Sequence, residues 1–185
     1  ACISREFTIL ASGKTSPAAD WMRALAAEEH ERCGGPGVGA VGMCFTGGFA
    51  LAMATDERML APVVAQPSLP GALTPRLAHS IDVSPEDLRT VVARCERGLD
   101  VMGVRFCGDR MSPASRFRFL RELLGDSFLA IEIPDSAANP ESPLPTPHSP
   151  LTVDLIDAPG EPTHDALTEV LEFLATRLGL VPGDR

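Results

Sequence analysis

Short apolar runs alternate with stretches of helical periodicity along this chain. That is the pattern of an α/β domain with a mostly parallel sheet and helices on both faces. Residues 7–11, 38–43, 60–65 and 128–133 read as strands, and a further strand lies within 99–107. A helix is expected to open at Ser16-Pro17, with serine as N-cap and proline at the first helical position. Trp21, Leu25 and Met22 supply its apolar face, and the glycine-rich residues 34–37 end it. Further helices are expected over residues 46–55, from Ser84-Pro85-Glu86-Asp87 with its acidic first turn, from Ser112-Pro113 to Leu124, and over 163–178. Residues 66–84 and 134–150 are proline-rich and read as loops. There is no internal repeat, and the second proline-rich stretch is too short for an interdomain linker, so residues 1–185 read as one domain.

The most informative junction is Val41-Gly42-Met43-Cys44-Phe45-Thr46-Gly47-Gly48, where a strand turns directly into a helix. A nucleophile placed on such a sharp turn needs small neighbours so that the backbone can fold past it, and Gly42, Gly47 and Gly48 provide them. The helix that follows points its N-terminus at Cys44, which favours the thiolate. The Phe45 backbone N–H is then placed to donate to an oxyanion. The other cysteines, Cys2, Cys33, Cys95 and Cys107, lack this context and read as buried small hydrophobes.

Gly42-Met43-Cys44 followed by Gly47-Gly48 resembles the Gly-x-Cys-x-Gly-Gly elbow of the dienelactone hydrolase family, within the α/β-hydrolases. Most α/β-hydrolases carry serine at that position, so the cysteine narrows the match. Thr46 stands where the family usually has its first glycine after the nucleophile, and a β-branched residue there should push helix and strand slightly apart. In this fold the acid and the histidine follow the nucleophile in chain order, at the ends of later strands. The resemblance assigns the acid to Asp109, in Gly108-Asp109-Arg110-Met111-Ser112-Pro113, and the histidine to His148, in the loop after the strand at 128–133. His30, His79 and His164 sit at places that do not fit.

The activity implied is hydrolysis of a small ester or lactone by a Cys-His-Asp triad, through a thioester intermediate and without cofactor or metal. The family holds its substrate carboxylate through arginines, one of them soon after the histidine. Here Pro150, Leu151 and Thr152 follow Ser149, so a neutral ester fits as readily as the anionic dienelactone. The family's glutamate near the N-terminal strands has no counterpart assigned in this chain.

The resemblance further implies an N-terminally incomplete α/β-hydrolase fold, because the family's nucleophile follows its fifth strand and Cys44 follows only the second. The loop that supplies the family's second oxyanion donor would lie upstream. The family's third strand would sit between the strands matching 7–11 and 38–43, and its absence would leave a central gap flanked by apolar side chains. A second reading, of a different class, is a binding or scaffold protein built on this fold. Thr46, the missing arginine and the short N-terminus favour it, whereas the ordered set Cys44, Asp109 and His148 favours the hydrolase.

Charge and composition narrow the partners. With 25 acidic against 16 basic residues, the formal charge is −9, a surface that repels phosphate backbones and anionic lipid. Neither nucleic acid nor membrane is therefore an expected partner, and the resemblance implies a small-molecule ester or lactone. The apolar runs are too short to cross a bilayer, and Arg5 and Glu6 stand where a signal peptide would be apolar. The five cysteines form an odd set without C-x-x-C spacing, which points away from a disulfide framework or zinc site and towards a reducing cytoplasm.

Overall fold

The structure, a computed structural model, describes residues 15–180. The strand expected at 7–11 lies outside them. The described chain runs α1 (Pro17–Cys33), β1 (Val38–Met43), α2 (Gly47–Met53), β2 (Met59–Ala65), α3 (Pro75–Ala78), α4 (Pro85–Cys95), β3 (Val101–Phe106), α5 (Ala114–Leu124), β4 (Phe128–Ile133) and α6 (Pro162–Arg177). The four strands form one all-parallel sheet in the order β1-β2-β3-β4. It is an α/β architecture with the sheet flanked by helices.

Successive side chains of a strand face opposite ways, and the two apolar cores follow that alternation. On one face, Val64 of β2, Val101 of β3 and Phe128 of β4 pack with Leu51 of α2, Val91 of α4 and Phe117 and Leu120 of α5. On the other, Ala61, Val63, Met102, Val104 and Ile133 meet Ala166, Val170 and Phe173 of α6. The β2 and β3 strands are covered on both sides, and β3 is buried along its whole length. Near-continuous apolar runs are what a central parallel strand requires.

Local signals place the helix starts. Ser16 accepts from the Ala18 N–H and Ser84 from the Asp87 N–H, each with a proline just inside the helix. Thr74 does the same for α3, a single short helix inside the stretch expected to be loop. The apolar face of α1 is a second correction. Trp21 is 66% exposed and Leu25 40%, while Ala19, Met22 and Ala26 pack towards the core. Spacings of three and four residues put Ala19, Met22 and Ala26 on one stripe, and Trp21 faces away from it.

Beyond β1 no further strand pairs among the described residues. An apolar cavity of about 380 Å³ opens there, between α1 and α2, lined by Met22, Leu25, Val38, Ala40 and Phe49 among others. Among the described residues, no helix is long and apolar enough to cross a membrane.

Candidate functional site

All four parallel strands end on the same edge of the sheet, and the loops that follow them carry the polar residues in question. The β1 strand stops at Met43, and Cys44 takes φ 53°, in the left-handed region that a side chain with a Cβ rarely occupies. Such a conformation costs on the order of 1–3 kcal/mol and persists only where its surroundings impose it. A tight turn over Cys44–Thr46 then leads into α2. Gly42 is needed beneath it, because a Cβ there would lie 2.4 Å from the Thr46 carbonyl oxygen and 2.8 Å from the Ala50 Cβ.

The expectation for Thr46 is also corrected, since the strand at Gly42 and the start of the helix lie too close to admit a Cβ between them. The Thr46 side chain points outward and closes the turn on itself. Its Oγ1 accepts from the Met43 N–H at 3.0 Å and donates to the Met43 carbonyl at 2.9 Å. The β-branched residue is thus a clasp of the turn, not a wedge.

Asp109 follows β3 and is 4% exposed. Its Oδ1 accepts from the backbone N–H groups of Met111 and Ser112, at 2.9 and 3.2 Å. Its Oδ2 accepts from His148 Nδ1 at 2.7 Å. The turn that carries Asp109 is held from below by Arg105, a β3 side chain only 1% exposed. Arg105 donates through Nε to the Ser112 carbonyl at 2.9 Å, through Nη2 to the Cys107 carbonyl at 2.6 Å, and through Nη1 to Glu132. From the neighbouring strand end, Asp135 Oδ1 accepts from the Gly108 N–H at 2.7 Å.

His148 is 5% exposed, in the long loop after β4. Its own backbone N–H and that of Ser149 both donate to Asp154 Oδ2, at 2.9 and 2.7 Å. Burial would raise the Asp154 carboxyl, but Ser142 and these two N–H groups hold it below the ordinary range. With Nδ1 committed to Asp109, Nε2 is the ring nitrogen left to act on Cys44. That nitrogen is buried without a partner at conventional hydrogen-bond geometry, yet it lies near enough to the thiol for each group to shift the other.

Burial alone would raise the Cys44 thiol. The Ser68 hydroxyl, His148 and the Phe45 backbone N–H outweigh it and bring the thiol below its ordinary value. Burial likewise opposes the charged form of His148, but the hydrogen bond and charge of Asp109, with the contribution of Cys44, lift the imidazole to about 9. Both directions favour the thiolate–imidazolium form over the neutral pair. Local donors account for the lowered thiol, since α2 is only seven residues long.

Three of the residues expected from sequence therefore come together, Cys44, Asp109 and His148, with the Phe45 N–H against the sulfur. The remaining described histidines are engaged differently: His79 with Glu122 and the Ser115 carbonyl, and His164 with Asp157. His30 lies in the last turn of α1. Sequence reasoning missed Ser68, which reaches the Cys44 sulfur, Asp154, which holds the His148 loop, and the buried Arg116. Only Asp154, six residues from its histidine, stood close enough in sequence to be found by a search for local loop caps. Among the described residues, no group of three or more His, Cys, Asp or Glu side chains is arranged to hold a metal ion.

Asp154→Ala should leave the His148 and Ser149 N–H groups unsatisfied, at a cost of about 1–3 kcal/mol. A urea titration at pH 7 that shows no loss would mean water replaces the carboxylate without penalty. No family model and no curated protein matches this chain.

Proposed function

We propose that this protein is a cysteine-dependent hydrolase of small esters or lactones, of the dienelactone hydrolase type and on an α/β-hydrolase fold. One observation carries the reading: Asp109 holds His148 Nδ1 at 2.7 Å, and that histidine and the Cys44 thiol, set at φ 53°, shift each other's pKa. A cysteine on a strained strand-to-helix turn, a histidine beside it and a buried carboxylate behind are the parts that covalent acyl transfer needs.

In the resting state the thiol proton resides on His148 Nε2. The thiolate attacks the carbonyl carbon, forming the C–S bond as the carbonyl π pair moves onto oxygen, where the Phe45 N–H donates to it. The intermediate collapses, the bond to the leaving oxygen breaks, and the imidazolium gives that oxygen its proton. His148 next takes a proton from water, whose oxygen attacks the thioester. Expulsion of the thiolate breaks the C–S bond and releases the acid. Throughout, Asp109 keeps the Nδ1 proton in place and stabilises the imidazolium.

The test is mass spectrometry of the intact protein quenched during turnover of a p-nitrophenyl ester or an enol-lactone. An acyl adduct on the Cys44 peptide is the expected result. Turnover with no adduct at Cys44 under rapid quench would overturn the reading.

The coupled pair also sets the pH profile. The acid limb of kcat/KM should fall where Cys44 gains its proton, below the ordinary thiol range. The alkaline limb should fall as His148 loses its proton near pH 9. A raised histidine pKa adds stability that is fully present below its ordinary value of about 6.5. That stability is lost as the pH rises through about 9. A profile that rises once near pH 8.5, the value of a free thiol at about 8.5, and shows no alkaline fall would exclude the pair.

A further inference from the structure

Beside the triad, a fourth polar side chain reaches the sulfur. Ser68 lies two residues after Gln66, which follows β2 with φ 33° and turns the chain back over the end of β1. There the Ser68 N–H donates to the Cys44 carbonyl at 3.0 Å. Its Oγ stands 3.4 Å from the Cys44 Sγ, hydrogen-bond distance for sulfur. The half-buried hydroxyl is thus tied to the elbow through both backbone and side chain.

Two independent features hold the loop in that place. Gly47, at the start of α2, lets it descend, since a Cβ there would lie 2.7 Å from the Pro67 Cβ and 2.9 Å from its Cα. Arg116, 0% exposed, grips the loop on both sides of Ser68, donating through Nη1 to the Pro67 carbonyl at 2.6 Å and through Nη2 to the Pro70 carbonyl.

We propose that Ser68 is a catalytic residue, whose hydroxyl donates to the Cys44 sulfur whenever that sulfur carries negative charge. The proposal rests on the hydrolase reading of this site. In the neutral state the thiol donates to Ser68 Oγ. In the thiolate the hydroxyl turns and donates to sulfur, and the serine keeps its proton. The contact matters at two points of the cycle, in the resting thiolate and in the expulsion of sulfur from the second tetrahedral intermediate. It weakens in between, when sulfur is an uncharged thioether or thioester. The pKa of the thiol moves in the direction this contact requires.

The experiment measures alkylation of Cys44 by iodoacetamide from pH 4 to pH 10, read by mass spectrometry of the Cys44 peptide. It needs no substrate and uses the full chain. Ser68→Ala should move the midpoint upward and lower the rate at pH 6 roughly tenfold, the effect of losing one hydrogen bond to a charged group. Ser68→Thr should restore the wild-type curve, and Ser68→Val, isosteric with the threonine variant but lacking the hydroxyl, should not. If Ser68→Ala fails to fold, the Thr and Val curves decide the matter between them. An unchanged curve in Ser68→Ala, or one restored equally by Val and Thr, overturns the proposal. Failure of the hydrolase reading shows separately, as turnover that survives Cys44→Ala while these alkylation curves differ.

Discussion

Cys44→Ala should abolish ester turnover, with kcat falling by at least about 10⁴-fold, the scale seen when one member of a nucleophile–base pair is removed. Without the sulfur no thioester forms, and His148 has only water to activate. His148→Ala should cost nearly as much, because the thiolate owes part of its charge stabilisation to the imidazolium. The double variant should then be little worse than either single one, as expected of groups that act together. Cys44→Ser retains the base and the Phe45 N–H but lacks a low-pKa nucleophile, so a trace of activity should remain. Initial rates with a p-nitrophenyl ester, each variant checked by circular dichroism, decide the matter. A Cys44→Ala protein with more than a few per cent of wild-type activity would place the chemistry elsewhere.

Removal of Arg116 should have the largest effect on stability. This α5 side chain is fully buried and donates to five carbonyl oxygens, those of Pro67, Pro70, Leu77, Ser80 and Met111. Burial lowers its guanidinium to about 10, with Asp109 and Asp82 opposing the fall, so it stays charged at neutral pH. Asp82 is the counterpart: burial raises its carboxyl to about 6 and Arg116 pulls it back. Arg116→Leu would strand the carbonyls and take a cation away from two carboxylates. The expected cost is about 3–5 kcal/mol in a urea titration at pH 7, the range found when one partner of a buried charged network is lost. Arg116→Lys should recover only part of it, because an ammonium has three donors and no planar fork. A loss under about 1 kcal/mol for Arg116→Leu would show that the loop holds its shape unaided.

Much of the fold was legible in local patterns. Serine and proline at Ser16-Pro17 and Ser84-Pro85 marked helix starts, because an N-cap oxygen and a pre-set φ act within a few residues. The strand at Phe128–Ile133 and the turn at Cys44 were equally plain. Misreadings arose where sequence distance hides the packing partner. Trp21 and Leu25 look like the buried stripe of α1 because they are its largest apolar residues. Burial is decided by which face meets α2, and that face carries Met22, as expected, with the small Ala19 and Ala26. Thr46 looked like a wedge because its steric bulk is visible in sequence, whereas the direction of its side chain is not.

The strand-to-helix turn nominated Cys44, and the family resemblance, with order along the chain, nominated Asp109 and His148. Parallel strands all finish on one edge, which puts the loops carrying Cys44, Asp109 and His148 on the same side of the sheet. The sequence by itself determined the α/β class and most element boundaries, and it marked the turn at Cys44. The tertiary structure alone decided what tunes and holds the three residues. Ser68 reaches a cysteine 24 positions away, and Arg116 grips a carbonyl 49 positions away. Each of those side chains has ordinary local surroundings and no spacing that marks it. Their roles come from a loop crossing a helix start and from a guanidinium buried among carbonyls. Both are long-range geometry that arises only when the separate elements pack.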